Sequence, residues 1–197
     1  MKEEFIKVYQ FKIVLDDTNP PVWRRIQVPE NYSFWDLHVA IQDSMGWTDS
    51  HLHEFIMKNL NGKQVNLGIP DEEYDDHSDR FMSGWEYYIS DYFSIKNKRA
   101  LYVYDFGDGW EHTIILEKLL IREKGKDYPI CIDGERACPP EDCGSIPGYE
   151  DICAGTHEFQ EEYDNEGYDP KKFDVNEVVF DDPKERLDRL FDEAGII

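Results

Sequence analysis

Residues 5–15 alternate. Phe5, Tyr9, Phe11, Ile13 and Leu15 fall on one face, with Lys7 the exception, and Gln10 and Lys12 fall on the other. A period of two sustained over this length commits the segment to a half-buried β-strand, because a helix would scatter the same side chains around its circumference. Asp16 to Pro21 is a turn rich in Asp, Asn and Pro. A second alternating run follows, with Val22, Arg24, Ile26 and Val28 on one side and Trp23, Arg25 and Gln27 on the other, and Pro29 ends it. The two runs predict an antiparallel hairpin.

The rest of the chain must cover one face of that hairpin. Ser33 opens a helix, with Asp36 completing a capping-box-like pair, and Leu37, Ile41 and Met45 form its apolar stripe with Phe34. Gly46 is a natural stop. Leu52 to Met57 reads as a strand, and Asn61-Gly62 turns it back into Lys63 to Leu67. Gly68 to Gly84 reads as an acidic loop, followed by a short helix around Ile89 to Phe93. Ala100 to Phe106 and Trp110 to Leu120 form another hairpin around Gly107-Asp108-Gly109. Periodicity fades beyond Lys124. Asp127 to Asp169 is rich in Pro, Gly, Cys and acids and is expected to lie over the core as irregular loops, before Asp182-Pro183 opens a last amphipathic helix. The expected fold class is α+β: a mostly antiparallel sheet with helices packed on it, plus a long irregular acidic C-terminal region. A length of 197 residues fits one domain, with a core of about residues 5–149 and an acidic extension over residues 150–197.

Charge narrows the partners. The chain has 43 acidic and 21 basic side chains, a formal net charge of −22, and its last 71 residues hold 21 acidic against 6 basic ones. Nucleic-acid backbones are bound by neutralising phosphates. The balance therefore argues against direct duplex DNA binding, although a local basic patch is compatible with it, and it disfavours an anionic membrane for the same reason. A protein partner that is itself basic, or a metal ion, fits better. No apolar run approaches the ~18–20 residues of a membrane span. The start of the chain carries no signal-peptide stretch, so a cytoplasmic location is expected. In that compartment Cys131, Cys138, Cys143 and Cys153, all within 23 residues, point away from disulfides and toward a metal or a packing role.

Three clusters hold the chemistry. In Ser50-His51-Leu52-His53-Glu54-Phe55, two histidines spaced by two would share a strand face and one metal ion; the plainer reading is one exposed and one packed histidine. In Tyr104-Asp105-Phe106-Gly107-Asp108-Gly109-Trp110-Glu111-His112, carboxylates and an imidazole flank a tight turn, where they suit acid–base work or a metal; the plainer reading is a turn with Asp side chains bonded to backbone N–H groups. In Cys138-Pro139-Pro140-Glu141-Asp142-Cys143-Gly144, the diproline fixes the direction of Glu141 and Asp142. Cys138 and Cys143 with His51 and His53 would make a Cys2His2 set for a divalent metal such as zinc; the plainer reading is a rigid loop with two buried thiols. No phosphate-binding glycine loop, no nucleophile elbow and no H-E-x-x-H sequence is present.

Taken together, these pieces resemble the plasmid pRiA4b ORF-three-like family. Pro21-Val22-Trp23-Arg24-Arg25, Phe34-Trp35-Asp36-Leu37-His38 leading to Gly46-Trp47, and the three clusters occur in the family's order across about Phe5 to Tyr149. One departure is visible: Ser145 stands where the family's loop continues with a second glycine. The resemblance implies a compact α+β domain and no established activity. Members occur with mobile elements, which implies a link to DNA transactions.

The residues support two functions of different class. The first is a binding module with a groove lined by Trp23, Arg25, His51, His53, Asp105, Asp108, Trp110, His112, Glu141 and Asp142. The second is a metal-dependent hydrolase using the same histidines and carboxylates around an ion with an open position. A third reading is an acidic protein that occupies the nucleic-acid-binding surface of a partner.

Overall fold

A computed structural model describes residues 5–70 and 81–194. The expected hairpin is there. β1 (Lys7–Leu15) pairs antiparallel with β2 (Val22–Pro29), Leu15 opposite Val22 and Val8 opposite Pro29. α1 (Phe34–Met45) follows. Its first turn is closed by the reciprocal bonds of Ser33 and Asp36, and its end by Gly46 at φ +95°, a conformation that costs a glycine little.

β3 (His53–Lys58) and β4 (Gln64–Gly68) form the next hairpin. Residues 71–80 of the acidic loop lie outside the described residues. The end of that loop is a correction: β5 (Phe81–Ser83) is a strand, paired parallel with β4. After the single turn α2 (Ile89–Tyr92), β6 (Arg99–Tyr104) and β7 (Trp110–Ile121) make the last long hairpin. One eight-stranded sheet results, in the order β5-β4-β3-β6-β7-β1-β2-β8, antiparallel at every pair but one.

The stretch expected to be irregular is the second correction. It contains β8 (Ile130–Glu135), which extends the sheet beyond β2, and the helices α3 (Ser145–Ala154) and α4 (Gln160–Glu166). β8 escaped notice because it is an edge strand whose residues are all half-buried or exposed, so no alternation marks it. α3 buries only Tyr149 and Ile152. The core boundary expected at residue 149 therefore falls inside a helix. Within α3, Gly148 lies so close to the Cys143 carbonyl that a Cβ there would overlap its oxygen. α5 (Pro183–Ala194) matches the expected last helix. It is bound to α1 through the Trp35 indole N–H, which donates to the Pro183 carbonyl at 2.8 Å, and through Arg186, 2.7 Å from Asp43.

The core joins one face of the sheet to α1. Phe11, Ile13, Ile26, Phe55 and Tyr102 from the strands meet Phe34, Leu37 and Ile41 from the helix, all sealed from water. Arg24, on the apolar side of β2, is 1 % exposed. Burial depresses its pKa, and its guanidinium donates three N–H groups to the carbonyls of Ser44, Trp23 and Glu135 and stacks 3.7 Å from the Phe173 ring. Among the described residues no helix is long and apolar enough to cross a membrane.

Candidate functional site

Two tyrosines on one face of β6 organise the site. Tyr102 and Tyr104 are two apart, so both rings point to the same side of the sheet, toward residues 47–52 between α1 and β3. The buried Tyr102 hydroxyl accepts from Gln42 Nε2 at 2.8 Å and donates to His38 Nδ1 at 2.9 Å. His38 Nε2 then donates to Asp49 Oδ1 at 2.7 Å, and the Asp49 N–H returns to Gln42 Oε1. This closed circuit holds Asp49 at φ +60°.

The outer layer repeats the device. The Tyr104 hydroxyl accepts from the Ser50 N–H at 3.0 Å and donates to Glu141 Oε1 at 3.0 Å. Burial and the Glu141 charge push the Tyr104 pKa well up, so the hydroxyl keeps the proton it donates. Glu141 also accepts from the N–H and hydroxyl of Thr48, and the Trp47 indole donates to the Pro139 carbonyl at 2.9 Å. The diproline loop is thereby docked, and its far end is tied to the β6–β7 turn by Gly144 N–H donating to Asp108 Oδ2.

These contacts place four side chains together. His51 Nε2 lies 3.2 Å from Asp142 Oδ1, 3.7 Å from Asp105 Oδ2 and 4.0 Å from Glu141 Oε2. The nitrogen is shielded from solvent yet makes no hydrogen bond. The imidazole as a whole remains partly open, and Asp142 is 75 % exposed. Asp105 is held by its own turn, its Oδ1 accepting from Gly107 N–H at 2.9 Å. His51, Asp105 and Asp142 can each aim one ligand atom at a common point, within 4.8 Å of one another. A cavity of about 430 Å³ adjoins His51, lined among others by Trp35, Thr48, Ser50, Arg186 and Arg189 but by none of the three carboxylates.

The other expected site residues part company. His51 precedes β3 rather than lying on it, so the two-residue spacing does not bring His51 and His53 to one face. His53 turns inward, stacked on His38 with centroids 3.5 Å apart and planes 7° apart. Burial first, and His38 second, hold its pKa far below the usual value. Two rings stacked in parallel aim their in-plane lone pairs side by side, so this pair does not chelate one ion as it stands, although Asp49 lies within reach of both.

The Cys2His2 set is a correction. Cys138 and Cys143 are buried thiols that burial pushes up, Cys143 to about 12, and neither belongs to a metal-ligating group among the described residues. Trp110 and His112 are core residues packed around Trp47, 1 % and 0 % exposed. Burial lowers the His112 pKa to about 4. Trp23 and Arg25 sit on the opposite sheet face from Arg24. β2 is four strand spacings from β3, about 19 Å, and Arg25 is bound to Glu117 and Asp133.

Sequence reasoning missed Asp49, His38, Gln42, Tyr102 and Tyr104. The signal was available: His38 and Gln42 are polar residues at i and i+4 on the apolar stripe of α1, and a helix does not bury two such groups without partners. Ser145, where a glycine was expected, has φ +63°, the left-handed region that explains why a glycine suits that place.

The similarities agree with this architecture. The chain is 38 % identical over 148 residues to the uncharacterized protein y4hQ of Sinorhizobium fredii (strain NBRC 101917 / NGR234), covering 74 % of this chain and 71 % of that protein. The crystal structure of the protein of unknown function MM3350 from Methanosarcina mazei Go1 superposes with a TM-score of 0.81 at 44 % identity, covering 90 % of this chain and all of that one. Residues 7–179 match the family described as Plasmid pRiA4b ORF-3-like protein. With the pieces from Trp23 to Gly144 brought into one sheet and one docked loop, the chain belongs to the plasmid pRiA4b ORF-3-like family.

Proposed function

We propose that this protein is a binding module whose site takes a divalent cation through His51, Asp105 and Asp142, with Glu141 beside them. The observation that carries this reading is the unbonded, solvent-shielded Nε2 of His51 facing three carboxylates within 3.2–4.0 Å. Carboxylates gathered so closely repel one another unless a cation sits among them. One imidazole nitrogen with carboxylate oxygens suits Mn²⁺ or Zn²⁺ better than Ca²⁺ or Mg²⁺, which take oxygen-only sets. The four free thiols fit the reducing cytoplasm, where we place the protein. The net charge of −22 suits a basic protein partner.

Isothermal titration of untagged, chelator-stripped protein with Mn²⁺ and Zn²⁺ tests the reading. One site is expected, weakened at least tenfold by His51→Ala. Absence of binding at millimolar metal, or binding indifferent to His51, would refute it. The alternative, metal-dependent hydrolysis, is favoured by one feature: the cavity beside His51 leaves room for a substrate against an ion with an open position. Metal-stimulated turnover of an activated phosphodiester or ester, lost in His51→Ala, would convert the module into an enzyme.

A further inference from the structure

We propose that the end of the sheet remote from His51 is a docking surface for an anionic lipid bilayer. The chain has 43 acidic residues, yet none occurs from Phe55 to Pro70 or from Tyr92 to Tyr104. These two windows hold Lys58 and Lys63 around the β3–β4 turn, and Lys96, Lys98 and Arg99 at the entry to β6. All five are exposed, and among the described residues none is in an ion pair. Each loop also raises an aliphatic side chain into water: Leu60 is 74 % and Ile95 62 % exposed.

The two loops lie side by side, because Asn97 Nδ2 donates to the Lys58 carbonyl at 2.7 Å. Strand pairing fixes where they point. His53 opposes Tyr104 at the site end of β3 and β6, so Lys58 and Arg99 lie at the other end. Five residue steps along β3 put about 17 Å between His53 and Lys58, about two Debye lengths at physiological salt. The carboxylates around His51 are therefore screened from whatever meets these loops, and Glu30, Glu117 and Glu123 at the same end of the sheet are paired with Lys7, Arg25 and Lys126, so the net charge that argues against membranes for the whole chain does not govern this face.

The choice of lipid over nucleic acid rests on the apolar tips. Phosphate contacts along a duplex would leave Leu60 and Ile95 in water. Single-strand binders present exposed aromatics for stacking, and the aromatic rings of these windows are buried. The boundary between headgroups and acyl chains accepts both aliphatic tips, while lysine stems let the ammonium groups remain among lipid phosphates.

Co-sedimentation with vesicles tests the proposal. The full chain should bind phosphatidylcholine vesicles containing 30 % phosphatidylserine in 0.1 M NaCl, and neither bind pure phosphatidylcholine nor stay bound in 0.5 M NaCl. Each basic side chain at such a surface is worth about fivefold in partitioning, so Lys96→Glu with Lys98→Glu should lower it by about 25-fold or more. Leu60→Asp should lower it also, and circular dichroism should show all variants folded. Absence of binding to the anionic vesicles, binding unchanged in these variants, or a preference for a 20-base-pair duplex that the same variants abolish would overturn it.

Discussion

Acidification from pH 8 to pH 5 should remove at least about 2 kcal/mol of stability, through buried histidines that the fold keeps neutral. His112 is fully buried, with its Nδ1–H donating to the Trp110 carbonyl at 3.1 Å and the edge of Trp47 against its ring. Its folded pKa is about 4, against an ordinary value of about 6.5 in the unfolded chain. A depressed folded pKa means that the unfolded state takes the proton first. The stability is intact above 6.5 and is lost as pH falls toward 4. At pH 5 the unfolded chain gains about 2 kcal/mol from protonating this one side chain. His53, which burial and His38 hold well below the usual value, acts in the same direction. Glu117, which the hydrogen bonds of Arg25 hold below the usual carboxylate range, loses its share only in more acid solution. Urea denaturation followed by tryptophan fluorescence is the assay. For a slope of about 2 kcal/mol per molar urea, the midpoint should fall by about 1 M or more between pH 8 and pH 5. In His112→Asn the absolute midpoint is lower, but its fall over the same interval should be smaller by about 1 M. A wild-type midpoint that is flat from pH 7 to pH 5, or an equal fall in the variant, would refute the assignment.

Tyr104→Phe removes the hydroxyl that joins Ser50 to Glu141. A neutral and a charge-assisted hydrogen bond, discounted for the open side of the site, amount to about 2 kcal/mol, and the loss should appear in urea denaturation together with weaker Mn²⁺ binding in the titration. Ser145→Gly relieves a left-handed serine at φ +63° and should raise stability by about 1 kcal/mol, read as a higher melting temperature in scanning calorimetry.

The strands were legible because their alternation is a property of the backbone that tertiary packing reinforces. The β1–β2 hairpin, the capping box at Ser33 and the stop at Gly46 all follow from local chemistry. The site was half legible. His51, Asp105, Glu141 and Asp142 do come together, but rarity of residue type was a poor guide to the rest. Trp110 and His112 share their strand face with Ile114 and Leu116, and that company marks core rather than groove. Trp23 and Arg25 alternate away from Val22 and Ile26, which puts them on the outer side of the sheet. What sequence could not provide was strand order. Only the order places β6 beside β3 and three spacings from β2, and only the docking of the diproline loop brings residues 141 and 142 to His51.

Three aspartates around the site share one backbone feature. Asp49, Asp105 and Asp142 have φ values of +60°, +54° and +53°, a region that Asp and Asn tolerate and that costs other side chains about 1–2 kcal/mol. Each aspartate could therefore be present for its turn alone, with the carboxylate incidental. Asp105 separates the two roles. Its Oδ1 accepts from Gly107 N–H, and the rest of the turn closes through its carbonyl, which accepts from Gly109 N–H at 2.6 Å. Asparagine keeps both bonds and the left-handed backbone, and removes only the charge. Asp105→Asn should leave the urea midpoint unchanged and weaken Mn²⁺ or Zn²⁺ binding at least tenfold. Asp105→Ala should lose binding and about 2 kcal/mol of stability together, since the turn bond goes as well. If Asp105→Asn binds metal as the wild type does, the aspartate serves the turn, and His51 faces carboxylates that hold no ion.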